Sequence, residues 1–401
     1  MEVLKLTTTR NNFINNKYKV AVIGGAGHIG LPLSCYISSY ENDVLIVDTN
    51  NENLEKIRSN KTPFKDDGLE DYIKIANRNN LKLSNNIEFI SDYELVIVAL
   101  GTSSSQGTTE IFDSLMESVL ENISENSKII LRSTVTLNTI EKTLRNPKFK
   151  EKAIQLAYCP ERIAEGASFE EIKKLPQIIG IDDDAKSHYF ELFFKSLGIK
   201  TTITNFKNAA FLKLFTNTYR YAEFSTVNNF YNIAVKNEIN YDEIIELASL
   251  NYPRLQNMPS KGFVGGPCLI KDTETFKKQY DYENQLLANF QNTNLIFMNN
   301  ILKLCNNSFP EKKLIQLGLT FKPNSDDLRD SLSLQLYFNL LKEGFEIYPV
   351  DDNVDPVNFK FKLYDFNEAS RLTSNVLIST FHESFNSLDF KDMKVETVGN
   401  K

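Results

Sequence analysis

The chain has 401 residues, 41% hydrophobic and 24% charged, an ordinary globular balance with enough material for two or three domains and a large core. Its formal charge of −7 argues against nucleic acid as a partner, and its longest apolar run, Leu95–Leu100, is far too short to cross a membrane. Four scattered cysteines without a CxxC pair predict neither a zinc site nor a disulfide framework, so no metal is expected and reduced thiols in a cytoplasmic chain are the natural reading.

Residues 1–16 read as a loose polar tail without the apolar core of a signal peptide. Tyr18–Ile23 then predicts a short buried strand that runs into glycines. Gly25, Gly27 and Gly30 form GxGxxG, with His28 and Ile29 inside the turn, and Leu31–Ile37 opens an apolar helix. Such glycines permit a tight turn and close approach of a pyrophosphate, which the helix N-terminus attracts. A second strand, Asp43–Asp48, ends in an acid 18 residues past Gly30. That acid is placed to grip ribose hydroxyls; capping the strand end is the plainer alternative. As a ribose ligand it would repel a 2′-phosphate, which favours NAD over NADP.

Alternation continues through a helix at Asn51–Arg58, a strand at Glu94–Leu100, a helix at Glu110–Glu121 and a strand at Lys128–Val135. Strands and helices taking turns predict a parallel, doubly wound α/β sheet, with ligands at the carboxyl ends of its strands. Thr102, Ser133 and Thr134 lie at such ends, either facing cofactor or substrate or capping the strands. A further strand breaks at Pro160, after the packing residue Cys159, and leaves Glu161 and Glu165 in a loop. These acids suit a base or ribose ligand, or simply a helix N-terminus. Gln177–Ile181 and His188–Leu197 follow as strand and helix.

From Asn208 the pattern is a long apolar helix on which Lys213 and Asn217, four apart, share one face. A lysine there costs desolvation unless it serves something negative or polar; a surface lysine is the other reading. A helix at Tyr241–Leu250 precedes Arg254 and the turn Lys261–Thr273. In that turn Gly265, Gly266 and Pro267 lead into Cys268, with Lys271 and Asp272 just behind. A thiol beside glycines and a cation is a candidate nucleophile, although free cysteines are often inert and buried. Asn284–Cys305 reads as helix, and a helical insert between two sheets suggests a homodimer interface. A strand at Lys313–Phe321 meets Lys322 and Arg329, which suit a diphosphate or are ordinary surface charge. A helix and strands at Phe345–Asp351 and Ser374–Thr380 complete a second β/α unit without GxGxxG. No histidine sits in a motif for acid–base work; His188 and His382 read as incidental.

Four blocks carry a resemblance: GGAGHIGLPL, CPERIAEG, GGPCLIKDT and GLTFKPNSDDLRDS, in that order along nearly the whole chain. Together they resemble the UDP-glucose/GDP-mannose dehydrogenase family of nucleotide-sugar 6-dehydrogenases. The resemblance implies an NAD-binding Rossmann domain at 17–204, a central helical dimerisation domain at 205–308 and a Rossmann-like UDP-binding domain at 309–401. It implies four-electron oxidation of a sugar C6 alcohol to a carboxylate with two NAD, the aldehyde held on a thiol as thiohemiacetal and then thioester. By matching position, Cys268 would be the nucleophile and Lys213, Asn217 and Asp272 its catalytic partners. Glu161, Glu165 and Thr134 would serve substrate and water. Lys271 would sit on the cofactor side; Arg254, Gly265, Lys322 and Arg329 would hold the UDP-sugar. His28 stands where the family has tyrosine, and Ile270 where proline is common. CPERIAEG and LPQIIG are similar to the N-acetylhexosamine members, whereas Cys-Leu-X-Lys-Asp is similar to the glucose members. The sugar stays open at this level, as do GDP-mannose, a two-electron hydroxyacid dehydrogenase and a non-catalytic NAD-binding paralogue.

Overall fold

The computed structural model describes residues 17–101, 108–280 and 289–399. Short, mostly apolar and buried runs build β1 (Lys19–Ile23), β2 (Asp43–Val47), β4 (Leu95–Val98), β5 (Lys128–Leu131), β6 (Gln155–Tyr158) and β7 (Gln177–Gly180), and the more exposed β3 (Lys82–Ser84) and β8 (Thr201–Thr204) lie at the two edges. They form one sheet of order β3-β2-β1-β4-β5-β6-β7-β8 within the first of two compact units, residues 1–213. β1 pairs with β2 on one side and β4 on the other, so the winding reverses there and opens a crevice at the carboxyl ends. The helix Asn51–Arg58 falls where expected, with the Asn50 side chain accepting the N–H of Asn53 as its N-cap.

The expectation of an all-parallel sheet fails at one joint. β7 meets β6 antiparallel, through the pair Tyr158↔Gly180, while running parallel to β8. The bridge joins the last residue of β6 to the last residue of β7, so the two strands meet only at their carboxyl ends, and the connection between them is held by Asp66, which accepts from Gly166 and Ser168. Strands expected to run on also stop early. β5 ends at Leu131, where Arg132 turns into an ion pair.

The second unit, residues 214–401, takes most of the long helix Phe206–Lys236. The helices Tyr241–Ser249, Leu269–Tyr280 and Asn289–Ser308 follow. The last of these was expected from Asn284; residues 284–288 lie outside the described residues, and the helix continues past Cys305 to Ser308. A parallel sheet of order β10-β9-β11-β12 comes next, from β9 (Lys313–Leu317), β10 (Glu346–Val350), β11 (Asn375–Ile378) and β12 (Lys394–Thr397). Helical and sheet segments share one core, in which Phe297, Ile301 and Cys305 join Leu314, Leu340 and Leu377.

The two sheets open with the same backbone arrangement. Gly24, at φ +72°, donates its N–H to Val47, and Gly318, at φ +82°, donates to Val350. The acid after the second strand then takes the loop: Ala26 N–H donates to Asp48 and Leu319 N–H to Asp351, at 3.0 and 2.7 Å. Expected strand Lys313–Phe321 stops at Leu317 because that turn begins at Gly318. A Cβ at Gly318 would lie 2.0 Å from the Thr380 carbonyl oxygen, whereas one at Gly344, also at positive φ, meets nothing within 4 Å. Gly344→Ala should therefore cost only about 1–2 kcal/mol of backbone strain. Gly318→Ala adds a clash between backbone atoms and should lower the urea midpoint distinctly further; equal midpoints would refute the packing argument.

Candidate active site

At the end of β1 the chain turns so tightly that a Cβ on Gly30 would sit 2.2 Å from the Gly24 oxygen, and one on Gly25 2.7 Å from that of Val22. Gly27 has room, its nearest neighbour at 3.5 Å, so its bareness serves approach from outside rather than packing. The helix Gly30–Ser39 starts at Ile29; among the described residues no side chain caps it and no acid lies in its first turn. Leu31 N–H donates to the Gly27 carbonyl at 2.9 Å and Pro32 has none, so it is the positive end of the helix dipole that favours an anion there. Asp48 accepts from Ala26 and Asn50, and its two oxygens retain lone pairs for ribose hydroxyls. It is a strand-end cap and is also placed as a ribose ligand. His28 stacks on Phe64, ring centroids 4.0 Å apart. This bare turn, open helix end and carboxylate fit a dinucleotide. Thr102 lies outside the described residues.

Thr134 is half-buried in the segment after β5, and the Ser133 hydroxyl donates to Val98 at 3.4 Å. Glu161 is buried, and both its oxygens are engaged. One accepts the N–H groups of Arg162 and Ile163; the other forms an ion pair with Arg132, which also donates to Gln177 at 2.5 Å. Sequence reasoning missed Arg132; an arginine ending an otherwise apolar strand was the available signal. Glu165 is half-buried and precedes Gly166, whose N–H donates to Asp66. Burial pushes the Asp66 carboxyl up, against the pull of its Ser168 and Gly166 donors.

In the second unit Cys268 is exposed, immediately before the helix Leu269–Tyr280, and its carbonyl accepts the N–H of Asp272. Asp272 is fully buried; its Oδ2 accepts from Asn217 Nδ2 at 2.6 Å, and Lys271 Nζ lies 3.4 Å from Oδ1. Lys213 is one turn before Asn217 on the long helix and is buried, not a solvated surface residue. The other thiols contrast with Cys268. Burial pushes Cys159 and Cys305 up to about 12 and Cys35 higher still.

The thiol's turn is held from both sides. Gly262 exchanges hydrogen bonds with the Asn228 side chain, and Asn294 donates to the Val264 carbonyl. Gly266 donates its N–H to Asp330 at 3.1 Å, and a Cβ there would lie 2.5 Å from the Phe321 ring. A Cβ on Gly265 would lie 2.8 Å from the Asp330 oxygen. These asparagines were not legible in the sequence, since nothing in the pattern tells which asparagine meets a backbone far along the chain. Lys322 lies over the Phe321 ring at 5.6 Å. Arg329 is forked onto Asp327 at 2.5–3.0 Å. Arg254 sits in the exposed turn Pro253–Leu255, its guanidinium over Tyr252. His382, expected to be incidental, is instead fully buried against Asp351, because the loop after β9 folds over it. Among the described residues no acidic, His or Cys cluster could hold a metal, and no helix is long and apolar enough to cross a membrane.

Comparison with known proteins covers nearly all of this architecture. Residues 18–197, 207–295 and 315–400 match the NAD binding, central and UDP binding domains of the UDP-glucose/GDP-mannose dehydrogenase family. A UDP-N-acetyl-D-mannosamine dehydrogenase of Methanocaldococcus jannaschii is 28% identical, over 97% of this chain and 91% of that protein. The UDP-N-acetyl-mannosamine dehydrogenase of Staphylococcus aureus superposes with a TM-score of 0.81 at 25% identity, over 95% of this chain and 94% of that one. A UDP-glucose dehydrogenase from Pyrobaculum islandicum shares the fold, with a TM-score of 0.82 at 19% identity and 96% coverage of both chains.

Two outcomes follow from the geometry. Iodoacetamide should modify Cys268 in the folded protein well before Cys35, Cys159 or Cys305, as read by peptide mass mapping; similar rates at all four would contradict the burial described. Arg132→Met would leave the Glu161 carboxylate buried without its cation and should cost about 3–5 kcal/mol in chemical denaturation. Adding Glu161→Gln should recover part of that loss.

Proposed function

The chain belongs to the UDP-glucose/GDP-mannose dehydrogenase family, and on that premise we propose that it oxidises the C6 alcohol of UDP-N-acetyl-D-mannosamine to the uronate through a Cys268 thioester. It is an NAD-dependent oxidoreductase with a UDP-sugar binding domain. The observation that carries the reading is the placement of Cys268, an exposed thiol at a helix start beside the Asn217–Asp272 pair, in a chain whose other thiols are buried. The thiolate is the form that attacks, and Cys268 stands at a helix start with Lys271 three residues on.

NAD, when bound, would supply the hydride acceptor, one molecule for each of the two oxidations. Asp272, with Lys271 and Asn217 against it, takes the C6 hydroxyl proton as the first hydride leaves carbon. The thiolate of Cys268 then adds to the aldehyde; a C–S bond forms and the carbonyl oxygen becomes an oxyanion. Lys213 and the second N–H of the Asn217 amide stabilise that oxygen. Loss of the second hydride from the same carbon leaves a thioester. Water adds to it, the C–S bond breaks, and acid and thiol are released. Glu161, held in place by Arg132, orients that water together with Thr134, and Glu165 binds the sugar. Lys322 and Arg329 take the diphosphate, Arg329 exchanging Asp327 for phosphate oxygen. Thr102 and Lys271 complete the cofactor side; Gly265 and Arg254 complete the substrate side.

The choice of sugar is supported by the relatives that act on UDP-N-acetyl-D-mannosamine and by the CPERIAEG and LPQIIG phrases. UDP-glucose is the second reading, favoured by Cys-Leu-X-Lys-Asp. A homodimer is supported by exposed apolar side chains on two helices, Phe215, Tyr219 and Phe230 on one and Ile244 and Leu247 on the next, with Leu250 just past its end. The uronate product suits surface-polysaccharide synthesis. In a panel of UDP-N-acetyl-D-mannosamine, UDP-N-acetylglucosamine, UDP-glucose and GDP-mannose, the first should give the highest kcat/KM, with two NADH per sugar. Cys268→Ala should abolish uronate, and Asn217→Ala should slow turnover roughly 100- to 1000-fold. Undiminished acid from Cys268→Ala, or one NADH per sugar, would eliminate the mechanism.

A further inference from the structure

The loop after β9, residues 318–331, carries Lys322 and Arg329 on one stretch of chain and touches the thiol's turn with another. Gly266, two residues before Cys268, donates to Asp330 and lies under the Phe321 ring. What holds this loop in place is a histidine. His382, after β11, is fully buried, and its Nδ1 accepts the backbone N–H of Asn324 at 2.9 Å. A nitrogen that accepts carries the lone pair, so the ring proton sits on Nε2, 3.1 Å from Asp351 Oδ2. The same carboxylate accepts the N–H groups of Leu319 and Asn353, at 2.7 and 3.0 Å. Asn324 is at φ +57°, and its side chain accepts the N–H of Glu383, next to the histidine. The imidazole therefore ties the Leu319–Asn324 half of the loop to the end of β10. The other half closes onto the first, as Phe321 N–H donates to Asp327 and the Ser331 hydroxyl donates to Leu319.

We propose that His382 is a positioning residue for two sites at once: by stapling loop 318–331 to Asp351 it sets both the nucleotide-binding cations and the Cys268 thiol. The nucleotide arm rests on the reading of Lys322 and Arg329 given above; the thiol arm rests only on the contacts of Gly266. A rigid ring that accepts a backbone N–H with one nitrogen and donates to a carboxylate with the other has no single aliphatic replacement. Removing it leaves the Asn324 N–H without an acceptor and takes one donor from Asp351. The loop would keep its sequence and lose its registry against the turn.

The test uses the full chain with His382→Ala, His382→Asn and His382→Gln. Asparagine keeps an acceptor where Nδ1 stands, and glutamine keeps a donor where Nε2 stands. Four quantities are measured: UDP affinity by calorimetry, the rate of Cys268 alkylation by iodoacetamide, NAD affinity and Tm. His382→Ala should weaken UDP roughly tenfold and change the alkylation rate at least about threefold, the scale of one lost hydrogen bond. NAD affinity should stay at its wild-type value. His382→Asn should recover most of both effects, because the Asn324 bond holds the loop directly, and His382→Gln should recover less. A lower Tm alone, with UDP affinity and alkylation unchanged, would reduce His382 to a stabilising residue and overturn the proposal. So would movement of one readout without the other. Should the alanine variant fail to fold, asparagine and glutamine variants that both match wild type in both readouts overturn it equally. A wild-type chain that fails to bind UDP would sink the nucleotide reading of Lys322 and Arg329, and the proposal with it, before any variant is compared.

Discussion

The exposed position of Cys268 depends on two glycines that leave no side chain between one backbone and another. Gly265 and Gly266 lie against Asp330 and the Phe321 ring at distances that no Cβ tolerates. Any larger residue there would lift the turn off the loop, and the thiol would move with it. The asparagines on the opposite side, Asn228 and Asn294, satisfy backbone groups of the same turn that would otherwise be buried without partners. The Cys268 thiol is thus positioned by backbone contacts of its turn rather than by its own short side chain.

The two sheets share one local device. In both, a glycine at positive φ ends the first strand and an acid after the second strand, Asp48 or Asp351, accepts N–H groups from the loop. In the first sheet the chain passes within a few residues into a helix whose N-terminus is left open, which suits a pyrophosphate. In the second, the stretch from Gly318 to the next helix at Leu332 is longer and brings its own cations, Lys322 and Arg329. There the acid is committed to His382 as well as to backbone, so it serves the loop rather than a ribose.

Charge is spent sparingly in the interior. Glu161 is matched by Arg132, and Asp272 by Asn217 and Lys271, so neither carboxylate is isolated in a medium that would penalise it. The thiols follow the opposite rule. Three are buried and held protonated by their surroundings, whereas Cys268 is exposed.

The strand–turn–helix unit at residues 19–39, the acid at Asp48 and the thiol behind Gly266 as a candidate were legible because each is a local pattern, whereas the exposure of that thiol was not. Apolar runs report burial, and glycine spacing reports where backbone must turn or come close. Thr134, Glu161 and Glu165 were legible as acids and hydroxyls at strand ends, but not what holds them. Partner choice joins distant residues: Asp66 meets Gly166 across 100 positions, Asn217 meets Asp272 across 55 and His382 meets Asp351 across 31. The antiparallel joint between β6 and β7, the ion pair of Arg132 and the burial of His382 all belong to that class. From the order of its residues alone, this chain's two β/α units and its cofactor type follow, because local sterics and periodicity decide them. Which acids are already committed, and which histidine holds the loop beside the thiol, were decided only when folding brought distant donors and acceptors within hydrogen-bond range.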